Sequence, residues 1–146
     1  MLFINYGLEN VYRSEYWFTL SSIPSNATIT SAKLQYTLTD WSVTNYFAVC
    51  KLSQYYAFQQ LWDAIGSSPL LFSYLSYNGG ETSSTQGLID AVNAARGNGT
   101  LYLGTASQDE NNSNSYAKVN LILMVTLPHP KFQLLLKTTL SMELLK

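Results

Sequence analysis

The chain has 146 residues and a formal net charge of −1, with 12% charged, 47% hydrophobic and 14% aromatic residues. This length suits one domain with a hydrophobic core and is short for two. The eight Lys and Arg residues form no cluster, which argues against nucleic-acid binding, and no apolar run is long enough to predict membrane insertion. Eleven tyrosines and many neutral polar residues favour an all-β module.

Alternation of apolar and polar residues predicts three strands in the first third of the chain, at 15–20, 29–38 and 46–53. Trp17 alternates away from the predicted core, together with Glu15. Cys50 is the single cysteine, so it excludes an internal disulfide and is predicted to be buried and inert. The residues predicted to face the core are Tyr16, Phe18, Leu20, Thr30, Ala32, Leu34, Tyr36, Leu38, Ala48, Cys50 and Leu52.

Two short helices are predicted in the connections. Apolar residues at helical spacing, followed by Gly66, predict the first over residues 56–66. The second runs from Gln86 to Arg96, because Ser83 and Gln86 have the spacing of a capping box and Gly97 follows as a stop signal.

Three further strands are predicted at 70–77, 100–105 and 117–127. The last has apolar residues on both faces, which predicts a central strand covered on both sides. Six strands with two helices in the connections favour an antiparallel β-sandwich formed by residues 1–127.

The tail, residues 128–146, does not fit this pattern. Its leucines are compatible with an amphipathic helix. Ordinary codons for residues 131–146, read in a shifted frame, would instead encode a strand-like sequence. We therefore hypothesise that the tail is a frameshifted reading, or the start, of a following β-rich domain, which the encoding DNA would test.

Few residues have the pattern of a catalytic or metal site. His129 is the only histidine and lies between two prolines, which argues against a Ser–His triad and a multi-histidine zinc site. The oxygen-rich loop at Asp109, Glu110 and Asn111 is a weak candidate for structural calcium, with a hairpin tip as the alternative. The sequence therefore predicts a protein that is not an enzyme and that needs no cofactor.

The aromatic residues are the remaining candidates for function. Sugar rings stack their C–H faces on flat aromatic side chains, while amides and hydroxyls bind the sugar hydroxyls. Core or edge packing is the alternative for each residue. The candidate glycan-binding residues are Trp17, Trp41, Tyr46, Tyr74 and Tyr77.

Residues 16–38 resemble the opening of the bacterial DNRLRE-domain family, which carries a phrase like F-D-L-S-S-I-P-x-x-A-x-I-x-S-A-x-L. Thr19 stands where the family usually has Asp, and the D-N-R-L-R-E hexapeptide itself is absent. Residues 87–104 and 115–127 resemble later segments of the family. The matching residues in the opening are Phe18, Leu20, Ser21, Ser22, Ile23, Pro24, Ala27, Ile29, Ser31, Ala32 and Leu34.

The resemblance implies a jelly-roll-like β-sandwich in a secreted or cell-surface bacterial protein, with its signal upstream and its earliest strands truncated before Tyr12. It also implies a non-catalytic role, since some relatives are carbohydrate-binding modules. We expect a monomeric module that binds polysaccharide. The alternative is a structural or adhesive spacer that contacts only neighbouring domains of the same polypeptide.

Overall fold

A computed structural model of the chain describes residues 12–41, 46–76, 79–108, 117–128, 131–138 and 140–145. These residues are mostly β, with two short helices. In chain order the elements are β1 (Tyr12–Thr19), β2 (Ser31–Trp41), β3 (Tyr46–Leu52), α1 (Phe58–Ser67), β4 (Leu70–Ser76), β5 (Gly80–Glu81), α2 (Gln86–Arg96), β6 (Thr100–Ser107), β7 (Ala117–Pro128), β8 (Lys131–Lys137) and β9 (Leu140–Leu145).

The strands form two antiparallel sheets. Sheet A has the order β4-β3-β6-β1-β9, and sheet B has the order β5-β2-β7-β8. The expected all-β architecture of two antiparallel sheets is confirmed at this level. β7 is central in sheet B, as its apolar composition predicted.

The main core lies between the sheets and includes one face of α2. Phe18 on β1, Leu34 on β2 and Leu123 on β7 are completely buried in it. Burying side chains of this size contributes about 1.5–3 kcal/mol each. Tyr16, Phe18 and Leu20 are buried in the main core as predicted. Ile29 is buried and Thr30 is exposed, the reverse of the prediction, because β2 begins only at Ser31.

The second helix has the predicted bounds but a different N-cap. The Oγ1 of Thr85 accepts a hydrogen bond of 3.2 Å from the backbone N–H of Leu88. Ser83 is therefore not the capping residue, and Gln86 instead donates to Asp90 one turn along. The buried face of α2 consists of Leu88, Ala91, Val92 and Ala95.

The outer face of sheet A is covered by α1, which makes a second core. We call it the outer cluster: Cys50, Leu52, Leu61 and Ile65, with Trp17, Tyr56, Trp62, Ala64, Tyr102 and Ala106 packed against them. Cys50 and Leu52 are buried as predicted, but under α1 and not between the sheets. Alternation could not distinguish the two faces, because β3 is buried on both.

The tail is not helical. β8 pairs with β7 in sheet B, and β9 pairs with β1 in sheet A. Leu136 of β8 is buried in the main core. The interpretation of the tail as an amphipathic helix is therefore wrong, whereas its origin and the domain boundary at residue 127 stay predictions.

Candidate functional site

Two of the predicted glycan-binding residues, Tyr46 and Tyr74, meet at the edge of sheet A. β4 is the edge strand, and its pairing with β3 is irregular: Phe47 lies opposite Leu75, while Val49 lies opposite Phe72. Two residues of β4 therefore face one residue of β3, which is a β-bulge. Tyr74 is the second of those two residues.

The bulge places Tyr74 in a rare backbone conformation. Its φ is +56°, which makes it the one residue other than glycine with a positive φ in the described part of the chain. A bulky side chain in this region crowds the backbone, so the conformation is strained. Bulges re-aim side chains, and here the side chain of Tyr74 is 69% exposed.

Tyr46 and Gln108 complete this corner of the sheet. The rings of Tyr46 and Tyr74 have centroids 6.2 Å apart and an interplanar angle of 69°, and Tyr46 is 47% exposed. The backbone N–H of Tyr74 donates to Oε1 of Gln108 at 3.1 Å, and the N–H of Gln108 donates to the carbonyl of Tyr46 at 2.9 Å. We call these three residues the tyrosine edge.

Trp17 lies elsewhere on sheet A. It is half-buried against the outer cluster, and its ring makes an edge-to-face contact with Tyr55 at 5.8 Å. Trp17 lies opposite Tyr102, which lies opposite Leu52, six residues along β3 from Tyr46. At about 3.3 Å per residue, the two aromatic pairs are about 20 Å apart.

Of the other two predicted residues, the structure describes only the backbone of Trp41. Trp41 is the last residue of β2, in sheet B, where its backbone lies opposite Ala117. Tyr77 lies outside the described residues. Of the three candidates whose side chains are described, Tyr46 and Tyr74 come together and Trp17 lies apart from them.

A small pocket of about 240 Å³ opens where β3 ends, β6 begins and α2 ends. It was not predicted from the sequence, because its walls come from three separate segments. Its polar side chains belong to Lys51, Ser53, Asn98, Thr100 and Tyr102.

Glu15 is the most unusual titratable residue that the structure describes. It was predicted to point away from the core, yet it is fully buried, because α1 and the segment before it cover the outer face of β1. Its Oε1 accepts a hydrogen bond of 3.2 Å from the backbone N–H of Tyr56, whereas Oε2 has no partner among the described residues. Burial raises the pKa of Glu15 to about 7, and the bond from Tyr56 opposes this only in part.

Cys50 is a buried thiol of the outer cluster. Burial raises its pKa to about 11, so the thiol stays protonated at neutral pH. Nucleophilic chemistry needs the thiolate, and the inert role expected for Cys50 therefore stays the better prediction.

The described residues contain no group of three or more His, Cys, Asp or Glu side chains that could hold a metal ion. Asp109, Glu110 and Asn111, the weak calcium candidates, lie outside the described residues. Structural calcium therefore stays a prediction. Within the same part of the chain, neither helix is long and apolar enough to cross a membrane.

Comparison with known proteins gives no relative. No protein-family model matches the chain, and neither a curated protein nor a solved structure matches it. The resemblance to the DNRLRE-domain family therefore depends on the quoted residues alone.

Proposed function

We propose that this chain is a non-catalytic carbohydrate-binding module of a secreted or cell-surface bacterial protein, with the tyrosine edge as its contact for polysaccharide. The observation that carries the proposal is Tyr74: the fold holds an exposed aromatic ring in a strained backbone conformation beside a second exposed ring. Strained backbone of this kind clusters at binding sites. A jelly-roll-like connection of the strands and membership of the DNRLRE-domain family are part of the same proposal.

The geometry of the tyrosine edge suits a sugar ring. One tyrosine offers its flat face for stacking on C–H groups, and the other stands steeply to it at 69° and forms a wall. Because Oε1 of Gln108 accepts from Tyr74, its Nε2 is the atom that would donate to a sugar hydroxyl. The chain carries few charges, so a neutral or weakly charged glycan surface is the matching partner.

A polysaccharide array probed with the full chain tests the proposal. Tyr46→Ala is expected to weaken binding about 2- to 10-fold, because it removes one stacking ring. Tyr55→Ala is the matched control, since Tyr55 is 48% exposed but lies at the other end of sheet A. If the folded protein is retained on no polysaccharide, or if both variants weaken binding equally, the tyrosine edge is not the site.

The second candidate is a structural or adhesive spacer of a surface protein. It is favoured by the arrangement of the two aromatic pairs: the rings within each pair are edge-to-face, and the two pairs lie apart. Extended glycan surfaces are usually bound by coplanar rings. In a spacer the two tyrosines would only pack against each other at a strand edge. Two results together would support the spacer. The array shows no binding, and the neighbouring domains of the full-length protein lose stability when this domain is deleted.

A further inference from the structure

Segment 53–57, which links β3 to α1, lies over the outer face of sheet A. Its middle is tied to β1 by the hydrogen bond from the backbone N–H of Tyr56 to Oε1 of Glu15. Next to this bond, the Tyr55 ring contacts Trp17, and the Tyr56 hydroxyl bonds to Ser53 Oγ at 2.8 Å. The segment has no regular secondary structure, so few backbone bonds hold it in place.

We propose that Glu15 is a protonation-dependent latch: as a neutral acid it fastens segment 53–57 over the outer face of sheet A, and as a carboxylate it releases the segment and uncovers Trp17. The inference does not depend on the proposed glycan binding. It rests on the position of Glu15, which is completely buried while its Oε2 has no partner in the described part of the chain.

Burying the neutral acid in this place costs less free energy than burying the carboxylate. A buried carboxylate is stable when several donors surround it, and here one backbone N–H is aimed at it. The other neighbours on this face are the apolar side chains of the outer cluster. An ionised Glu15 would gain hydration if segment 53–57 moved away, because Tyr56 of this segment contacts its carboxyl group.

The charged and titratable groups on the elements that cover this face do not supply a second partner. Arg13, two residues along β1, has its guanidinium over the Trp62 ring, 4.1 Å from the centroid, and donates to the Trp62 carbonyl. Cys50 on β3 is a protonated thiol. The rest are Tyr56 in the segment itself, Asp63, which is exposed on α1, and Tyr102 on β6, while β9 is described by its backbone alone.

Trp17 fluorescence in the full-length chain tests the latch. In wild type, emission is expected to shift to the red and acrylamide quenching to increase as the pH rises, with a midpoint near 7, the pKa of Glu15. Trp17→Phe identifies the part of the signal that comes from Trp17. Glu15→Gln is expected to abolish the transition, because glutamine keeps the acceptor for Tyr56 and never ionises.

Asp63→Asn is the matched control, since it removes an exposed carboxylate from α1 and is expected to leave the transition unchanged. The proposal is overturned if Glu15→Gln shows the wild-type transition, or if the folded wild-type protein shows none between about pH 5 and about pH 9. A flat wild-type profile overturns the latch even if Arg13 turns to pair with the carboxylate, because the segment would then stay closed when Glu15 ionises.

A second measurement needs no variant, so it holds even if Glu15→Gln does not fold. The ¹³C shift of the Glu15 carboxyl group and the amide shift of Tyr56 are followed together in wild type. A shared midpoint supports the latch, whereas separate midpoints, or a carboxyl group that titrates while Tyr56 is unaffected, overturn it.

Discussion

Residue 74 allows a direct test of the strain that the structure shows at the tyrosine edge. Tyr74 has a φ of +56°, a value that glycine adopts freely and that a side chain makes unfavourable. We compare two substitutions, Tyr74→Gly and Tyr74→Ala. Both remove the ring and its contact with Tyr46, so the loss of that contact cancels in the comparison. The remaining difference in the free energy of unfolding comes from the backbone conformation at residue 74.

The size of the difference follows from two opposing effects. Keeping a residue with a Cβ in the left-handed region costs about 1–2 kcal/mol, and glycine escapes this cost. Glycine in turn loses more backbone freedom on folding, which costs about 0.5–1 kcal/mol relative to alanine. The Tyr74→Gly variant is therefore expected to be more stable than Tyr74→Ala by about 0–1.5 kcal/mol, with a central value of about 0.75 kcal/mol.

Urea unfolding of the two variants measures the difference in the free energy of unfolding. The matched control is the same pair of substitutions at Ser73, the adjacent residue of β4, which has no positive φ. There alanine is expected to be the more stable variant by about 0.5–1 kcal/mol. If alanine is also the more stable at residue 74, the backbone there is not strained and the reasoning fails.

Three further predictions concern other parts of sheet A and α2. The pKa of Glu15 is raised from 4.5 to about 7, so the free energy of unfolding is expected to fall by about 3 kcal/mol as the pH rises between these values. Urea unfolding measures this profile, and Glu15→Gln is expected to flatten it over the same interval. A Cβ on Gly104 would lie 2.7 Å from Ile65 Cγ1, so Gly104→Ala is expected to lower the stability measured by thermal unfolding by about 1–3 kcal/mol. Gly97→Ala is the control and should lower it little, because a Cβ there would meet nothing within 4 Å. Thr85→Ala is expected to cost about 1 kcal/mol through loss of the N-cap, and Thr85→Ser to keep most of it, as judged by urea midpoints.

The sign of the Glu15 effect is opposite to that of most buried acids in ion pairs. Its folded-state pKa lies above the unfolded value, so the folded protein holds a proton that the unfolded chain has released. The stabilisation is fully present below about pH 4.5 and is lost as the pH rises through about 7. A stability profile that increases over this interval would contradict the burial of Glu15.

Much of the fold could be predicted because its strands have one buried face. The alternation of Tyr16 and Phe18 with Trp17 placed the first two in the main core, and the structure agrees. Alternation failed where both faces are covered. Cys50 and Leu52 are as apolar as an inward face requires, but α1 buries them on the other side of the sheet.

The candidate site was less predictable for a different reason. Nothing in the sequence around Tyr74 indicates a bulge, because a positive φ is normally marked by Gly or Asn and here the residue is a tyrosine. Its partner Gln108 directly follows β6, more than thirty residues along the chain. Glu15 gave no signal either, since a charged residue in an alternating strand normally faces solvent.

The strain at Tyr74 also bears on the choice between the two proposed functions. In a spacer, tyrosine at a position where glycine fits the backbone better gains only the ring contact with Tyr46, whereas a binding site also gains an aromatic surface that glycine cannot supply. The Tyr74→Gly variant separates the two cases when its stability and its polysaccharide binding are measured together. If the variant is at least as stable as wild type but loses the binding that wild type shows, the result fits a glycan site. If the variant is at least as stable and neither it nor wild type binds polysaccharide, the spacer is the better explanation.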